Sequence, residues 1–263
     1  MRFKTSDGVR LEYDDSGQGP VVMILSGIGG SRVIWRDQVS ALIDAGYRVI
    51  NIDARNQGAS EHTKKGLRIS RHAMDLREIC EALDIHQPIL IGNSMGASTM
   101  FAYASLFGTQ DVAAIVDVDQ SPKMINEPGW KYGFKGEVTW DNFPDILKKP
   151  FGKSTYHKLR DETYAVNKKA QVEHPYDPAL NLPFLQDHAF QDWRDVIAEF
   201  TCPFLILAGE KSPFFDYHYA PEVASLAAKG EYQIIKDSGH IVMAEQPAAF
   251  NQALFKFLKE NDL

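Results

Sequence analysis

The segment LIGNSMGAS, residues 90–98, carries the most specific pattern in the chain. It contains the Gly-x-Ser-x-Gly pentapeptide GNSMG (92–96), which follows an apolar run and precedes the small-residue sequence MGASTMFAYASLF. Between a buried strand and a helix, this pentapeptide predicts a tight turn that holds the Ser94 hydroxyl clear of the backbone, as a nucleophile requires. A small-residue turn that serves only helix–strand packing is the alternative interpretation.

The apolar runs on either side of this motif predict a sheet. Six short runs without clean alternation are typical of strands buried on both faces of a parallel sheet. They are VVMIL (21–25), RVINID (48–53), PILIG (88–92), AAIVDVD (113–119), PFLILAG (203–209) and EYQIIKDS (231–238). Helical periods lie between them, and the residues before the first run predict an antiparallel hairpin that turns at Asp7-Gly8. The sequence therefore predicts an α/β fold with a doubly wound, mostly parallel, eight-stranded sheet.

The alternation of strand and helix stops between residues 121 and 195. Prolines, aromatic residues and mixed charges replace the buried runs there. Because a long structureless loop is unusual inside a compact domain, we expect a mostly helical cap, or lid, inserted into a core formed by residues 1–120 and 196–263.

Composition excludes several classes of function. A net charge of −7 and a pI of about 5.6 oppose a basic surface for nucleic acid. No apolar run is long enough to span a bilayer, and the N-terminus has no signal-like segment. Only Cys80 and Cys202 are present, too few for a disulfide framework, so a cytoplasmic protein is expected. The sequence leaves open whether the chain forms a homodimer.

A serine nucleophile needs a general base, and histidine has the suitable pKa. Of eight histidines, only His240 follows the last predicted strand, in DSGHIVMAEQP, where a loop can reach the carboxyl edge of the sheet. The other seven are predicted to lie on ordinary surfaces. None has a second His or Cys at ligand spacing, so neither a metal nor a cofactor is expected.

The chain resembles the α/β-hydrolase superfamily over nearly its whole length. The resemblance rests on LSGIGGS after the third strand, DARNQGAS (53–60) after the fourth, GNSMG at the turn and SGHIVMAEQP around the histidine. The sequence departs from the family pattern at three positions. Ser26 replaces the usual histidine of a His-Gly pair, Asn56 stands where glycine is commoner, and Ser212 occupies the usual position of the acid.

The acid must therefore be sought elsewhere, because a neutral serine cannot stabilise an imidazolium. Asp119 ends the sixth strand, where some members of the superfamily, haloalkane dehalogenases among them, carry their acid. It is the favoured candidate. Asp216 is the rival if its loop bends back, and Asp117 would lie deeper on the same strand.

A developing alkoxide is best met by fixed backbone dipoles. The expected oxyanion donors are the N–H groups of Met95, directly after the nucleophile, and of Ile28 in the glycine-rich turn. A plain turn is the alternative for that glycine cluster.

The substrate is less well specified than the reaction. Trp35 and Trp140 are expected to line an aromatic pocket, although aromatic residues of a small cap often form its own core. The leading function is hydrolysis of a small carboxylic ester, thioester, lactone or amide with an apolar acyl or alcohol group. The alternatives on the same scaffold are perhydrolysis of the haloperoxidase type, C–C bond hydrolysis and cofactor-free oxygenation. A further alternative is a ligand-binding receptor with slow turnover.

Overall fold

The computed structural model describes residues 1–263 and contains one eight-stranded sheet. The strands are β1 (Arg2–Lys4), β2 (Arg10–Ser16), β3 (Val21–Leu25), β4 (Arg48–Asp53), β5 (Ile89–Asn93), β6 (Ala114–Val118), β7 (Phe204–Gly209) and β8 (Gly230–Ile235). Their spatial order is β1-β2-β4-β3-β5-β6-β7-β8. The pairs β1/β2 and β2/β4 are antiparallel and all others are parallel, which confirms the predicted fold class.

Nine α-helices accompany the sheet. They are α1 (Arg36–Asp44), α2 (Ile69–Ala82), α3 (Met95–Phe107), α4 (Asp161–Glu173), α5 (Pro178–Phe190), α6 (Arg194–Ala198), α7 (Tyr219–Ala224), α8 (Val242–Glu245) and α9 (Pro247–Glu260). One face of α2 and one face of α9 are buried, through Ile69, Ala73, Leu76, Ile79 and Cys80 in the first and Phe250, Ala253, Leu254, Phe257 and Leu258 in the second.

The core has two layers, one on each face of the sheet, because the central strands are apolar on both faces. Along β3, Met23 belongs to one buried cluster, whereas its neighbours Val22 and Ile24 belong to the other. The first cluster includes residues of α2, α3 and the segment after β6, and the second includes residues of α1 and α9. This double cover fixes the carboxyl ends of β5 to β8 side by side at one edge.

The segment between β6 and β7 is less helical than expected. Helices α4 and α5 occupy its second half, but residues 121–160 contain only two short 3-10 helices, Phe134–Gly136 and Asp145–Lys148. Long-range contacts hold this first half in place. Lys135 N–H, for example, donates to the Phe214 carbonyl (2.6 Å).

None of the helices combines the length and the apolar content that crossing a bilayer demands.

Candidate active site

The GNSMG turn connects β5 directly to α3. Ser94 has a φ of 55°, a left-handed conformation that is uncommon for a residue with a side chain. The flanking glycines explain how the turn closes. A Cβ at Gly92 would lie 2.3 Å from the Gly96 carbonyl carbon, and one at Gly96 would lie 2.5 Å from the Leu25 carbonyl oxygen. Neither position can hold a larger residue, and Ser94 is left partly exposed at the edge of the sheet.

Asp119, directly after β6, contacts His240 in the loop after β8. Its Oδ2 lies 2.7 Å from His240 Nδ1, and the two side chains are almost fully buried. An ionised carboxylate can only accept, so this contact places a proton on Nδ1 and leaves Nε2 free to accept one. Asp119, like Ser94, has a left-handed backbone, with a φ of 56°.

Ser212, at the position where the family usually has its acid, contacts Asp119. Its hydroxyl donates to Asp119 Oδ2 (2.6 Å), while Gly209 N–H donates to Asp119 Oδ1 (2.8 Å). Asp119 is therefore met by three donors, which suits a buried anion. A carboxylate at position 212 would instead face Asp119 as a like charge.

The two rival acids lie apart from His240. The Asp216 side chain is half exposed and pairs with His218 (2.6 Å). Asp117 is fully buried and accepts from Gln120 N–H (3.1 Å). Burial, together with the charge of Asp119, raises the pKa of Asp117 well above its usual range.

Asn93, which the sequence did not single out, joins the three strand ends. Its side-chain amide donates to the Val118 carbonyl (2.9 Å) and to the His240 carbonyl (3.1 Å). The residue before the nucleophile therefore ties the residue before the acid to the histidine itself. The only sequence signal for this role was its place next to Ser94.

The backbone N–H groups of Ile28 and Met95 have no hydrogen-bond acceptor in the protein. Their neighbours are occupied, because Gly29 N–H donates to Gln57 Oε1 (2.5 Å) and Gly30 N–H to the Gly27 carbonyl (3.0 Å). Met95 is the first residue of α3, where unpaired N–H groups are expected. Two free donors thus remain beside Ser94.

Trp35 is not a pocket residue. It is fully buried in the core behind the glycine-rich turn, where it packs edge-on against Phe250. Its indole N–H donates to Ser26 Oγ (3.1 Å). Ser26 therefore anchors the turn from below. Asn56, the third departure, has a φ of 62°, a conformation that asparagine tolerates well.

Ser94 and His240 both line a cavity of about 220 Å³. Apolar side chains from the segment after β6 and from the β7 loop form much of its wall, namely Met124, Phe134, Phe151, Leu185, Phe214 and Phe215. Trp140 is not among them. It is 48% exposed and packs against Phe143 and Phe190 on the outer surface, contrary to the expectation that it lines the pocket.

Two of the histidines expected on ordinary surfaces are buried. His72 and His188 lie on α2 and α5, and the Phe184 ring lies between them, stacked on both. Burial lowers the pKa of His72 to about 3 and that of His188 to about 4. No group of three or more His, Cys, Asp or Glu side chains is arranged to hold a metal ion.

Comparison with known proteins identifies the family. Residues 20–247 match the family model described as the alpha/beta hydrolase fold, so the chain belongs to this superfamily and is an enzyme of the hydrolase fold. It is 26% identical to the sn-1-specific diacylglycerol lipase ABHD11 of Xenopus tropicalis, over 94% of this chain and 80% of that protein.

Two solved structures have the same fold. An esterase from Exiguobacterium antarcticum superimposes with a TM-score of 0.87 at 21% identity, covering 98% of this chain and 99% of that one. A bromoperoxidase from Bacillus anthracis superimposes with a TM-score of 0.82 at 24% identity, covering 98% and 100%. Both likenesses concern the fold.

Proposed function

We propose that this protein is a serine hydrolase that cleaves a small carboxylic ester, thioester, lactone or amide through an acyl-enzyme on Ser94. One observation carries the proposal: His240, held by the buried Asp119 carboxylate at 2.7 Å, lines the same cavity as Ser94. A buried carboxylate that fixes the tautomer of a histidine beside an exposed serine is the arrangement that acyl transfer requires.

In the first half of the reaction, Ser94 Oγ attacks the ester carbonyl while His240 Nε2 accepts the hydroxyl proton. Asp119 stabilises the resulting imidazolium and is not itself protonated. No hydrogen bond joins Ser94 Oγ to His240 in the free protein, and such contacts commonly tighten only when substrate is bound. The imidazolium then gives its proton to the departing alkoxide.

The oxyanion formed in this step would be met by the free N–H groups of Ile28 and Met95. Because these donors belong to a closed glycine-rich turn and to a helix N-terminus, little reorganisation is needed when charge develops. In the second half, His240 activates a water molecule, which hydrolyses the acyl-enzyme and regenerates Ser94.

We propose further that residues 121–195 form a cap over the core formed by residues 1–120 and 196–263. Three hydrogen bonds attach this segment to His240 and to the helix that follows it, α8. His240 N–H donates to the Ser154 carbonyl (2.9 Å), and Glu245 Oε2 accepts from Tyr156 N–H (2.8 Å) and His157 N–H (2.9 Å). These hydrogen bonds would therefore fix the position of the cap relative to His240, the general base.

Removal of the Ser94 hydroxyl tests the proposed function. Ser94→Ala should abolish turnover of nitrophenyl esters and labelling by a fluorophosphonate probe, with an unchanged far-ultraviolet circular dichroism spectrum. Residual turnover above about a hundredth of wild type would remove Ser94 from its role, because nucleophile losses in triads cost far more. If the wild-type protein reacts with the fluorophosphonate probe but does not turn over esters, a ligand-binding receptor with slow turnover is indicated.

Perhydrolysis is a second candidate because of the structural similarity to a bromoperoxidase. In that reaction hydrogen peroxide replaces water in the attack on the acyl-enzyme, and the peracid product oxidises halide. Halide oxidation that requires both peroxide and a carboxylic acid or ester, and that is lost in Ser94→Ala, would support this candidate.

A further inference from the structure

The cavity beside Ser94 has no ionic wall. None of its lining residues is Asp, Glu, Lys or Arg, and its polar members other than the two histidines are neutral. A charged group on the substrate would therefore lose its hydration without gaining a counter-ion, which is costly in a largely apolar site. The composition of the wall selects uncharged substrates.

One buried polar side chain in this wall has no partner. His188 of α5 is 3% exposed and lines the cavity. Its Nδ1 is enclosed and unpaired, whereas Nε2, which has no hydrogen bond to a protein group either, is not enclosed. Leaving a buried polar group unpaired costs about 1–3 kcal/mol. A phenylalanine or leucine would have filled the same place without that cost.

The surroundings of His188 suit a neutral imidazole. Phe184 stacks on one side of the ring, at 6.4 Å between centroids, and the neighbouring Leu185 also lines the cavity. With its pKa lowered to about 4 by burial, the ring is uncharged at neutral pH. Because Nδ1 is enclosed, the ring presents Nε2, which is an N–H donor in one tautomer and an acceptor in the other and so matches a carbonyl or a hydroxyl group.

We propose that His188 is a substrate-binding residue that forms a hydrogen bond with a neutral hydroxyl or carbonyl group carried by an uncharged ester, apart from the ester group attacked by Ser94. This inference rests on the proposed function and specifies its substrate class. Plain alkyl esters and esters that bear a carboxylate are both poorer substrates, the former because His188 stays unpaired and the latter because no cation meets the anion.

The experiment compares matched esters. Nitrophenyl esters of straight-chain acids are paired with analogues in which one methylene, at successive chain positions, is replaced by a carbonyl. Wild type should prefer at least one oxo ester over its alkyl partner by about tenfold or more in kcat/KM, the value of one hydrogen bond in a buried site. A parallel series with the carbonyl in the alcohol portion identifies which side of the ester His188 contacts.

Two substitutions at position 188 separate hydrogen bonding from packing. His188→Phe keeps an aromatic ring against Phe184 but removes both hydrogen-bonding atoms, so the ratio of oxo to alkyl turnover should fall to about one. His188→Gln should restore part of the ratio. His86→Phe is the matched control, since the His86 side chain is 83% exposed, and it should keep the wild-type ratio.

A binding measurement separates this inference from the proposed function. In Ser94→Ala, calorimetry with the matched oxo and alkyl esters should show the same preference without turnover, and His188→Phe should remove it. If no ester is turned over but this preference is present, the proposed function fails and the His188 site stands. Equal binding of both partners, or a preference that survives His188→Phe, overturns the His188 site whatever the catalytic result.

Discussion

Replacement of Asp119 by Asn tests the position of the acid most directly, since it removes the charge and keeps the shape. The structure specifies how the amide would lie. Gly209 N–H points at Oδ1 and is a fixed donor, so the amide oxygen must take that side and the NH₂ group must face His240. Ser212 Oγ already accepts from the N–H groups of Phe214 and Phe215 (both 3.3 Å), so it gives up one of these long bonds if it rotates to accept from the amide.

His240 Nδ1 would then have to accept a hydrogen bond. Its proton moves to Nε2, and the ring can no longer take the proton of Ser94. We expect kcat for a nitrophenyl ester to fall roughly ten-thousand-fold, the scale known for a triad acid changed to its amide. This corresponds to about 5.5 kcal/mol of transition-state stabilisation. The fold should be retained, because the substitution is nearly isosteric.

The assay is single-turnover and steady-state kinetics, with Ser94→Ala as the floor and Asp216→Asn as the control. Asp216 contacts His218 at the surface, so its substitution should leave kcat near the wild-type value. The reasoning is refuted if Asp119→Asn retains near wild-type kcat, and Asp216 becomes the acid if Asp216→Asn collapses it.

A relocation experiment strengthens the test. Ser212 Oγ and His240 Nδ1 both contact Asp119 Oδ2, so they lie within about 5 Å of each other. The longer side chain of an aspartate at 212 spans part of this gap. The double variant Asp119→Asn with Ser212→Asp should therefore recover about tenfold or more of the rate that Asp119→Asn loses.

Three further outcomes are expected. Leu185→Phe narrows the cavity and should favour short over long acyl chains by about tenfold in kcat/KM. Trp140→Ala changes a side chain on the outer surface and should leave this preference unchanged; if both variants change the preference equally, Leu185 is not part of the cavity wall. Asn93→Ala releases the tie between β6 and the histidine loop, so kcat should fall more than tenfold with KM little changed, and an unaffected kcat would make the tie purely structural. As pH falls from 6.5 towards 4, the unfolded chain binds protons that buried His72 and His188 refuse, so each lowers the free energy of unfolding by about 1.4 kcal/mol per pH unit. Urea unfolding of His188→Phe should show a correspondingly shallower fall in that window, and an identical slope would show that His188 is not buried neutral.

The fold was predictable because its signals are local. Each predicted buried run became a strand whose ends lie within three residues of the prediction, and the Asp7-Gly8 turn gave the hairpin, with Gly8 at a φ of 87°. Asp119 and His240 were also within reach, since residues that follow parallel strands meet at the carboxyl edge of the sheet, and only β7 separates β6 from β8. Their sequence positions imply the contact once the strand order is known.

The side chains that depend on long-range packing were not predictable. Trp35 follows the glycine-rich turn by a few residues, and no pattern tells whether it faces the cavity or the core behind it. Helix α5 is apolar nearly all round, so its periodicity does not distinguish His188 at the cavity from Phe190 on the surface. Residues 121–160 also lack regular α-helix, because contacts such as that between Lys135 and Phe214, rather than local propensity, set the path of the chain there.

The left-handed backbones of Ser94 and Asp119 link the fold to the chemistry. Each costs on the order of 1–2 kcal/mol, and such conformations persist only where neighbouring contacts determine them. Here Ser94 N–H donates to the Val118 carbonyl (3.1 Å), and Asp119 N–H donates to the Leu207 carbonyl (3.0 Å). The end of β5 is thus hydrogen-bonded to the end of β6, and the end of β6 to β7. These backbone bonds fix the strand ends that carry Ser94 and Asp119, so binding energy need only bring the Ser94 hydroxyl and the His240 ring into contact.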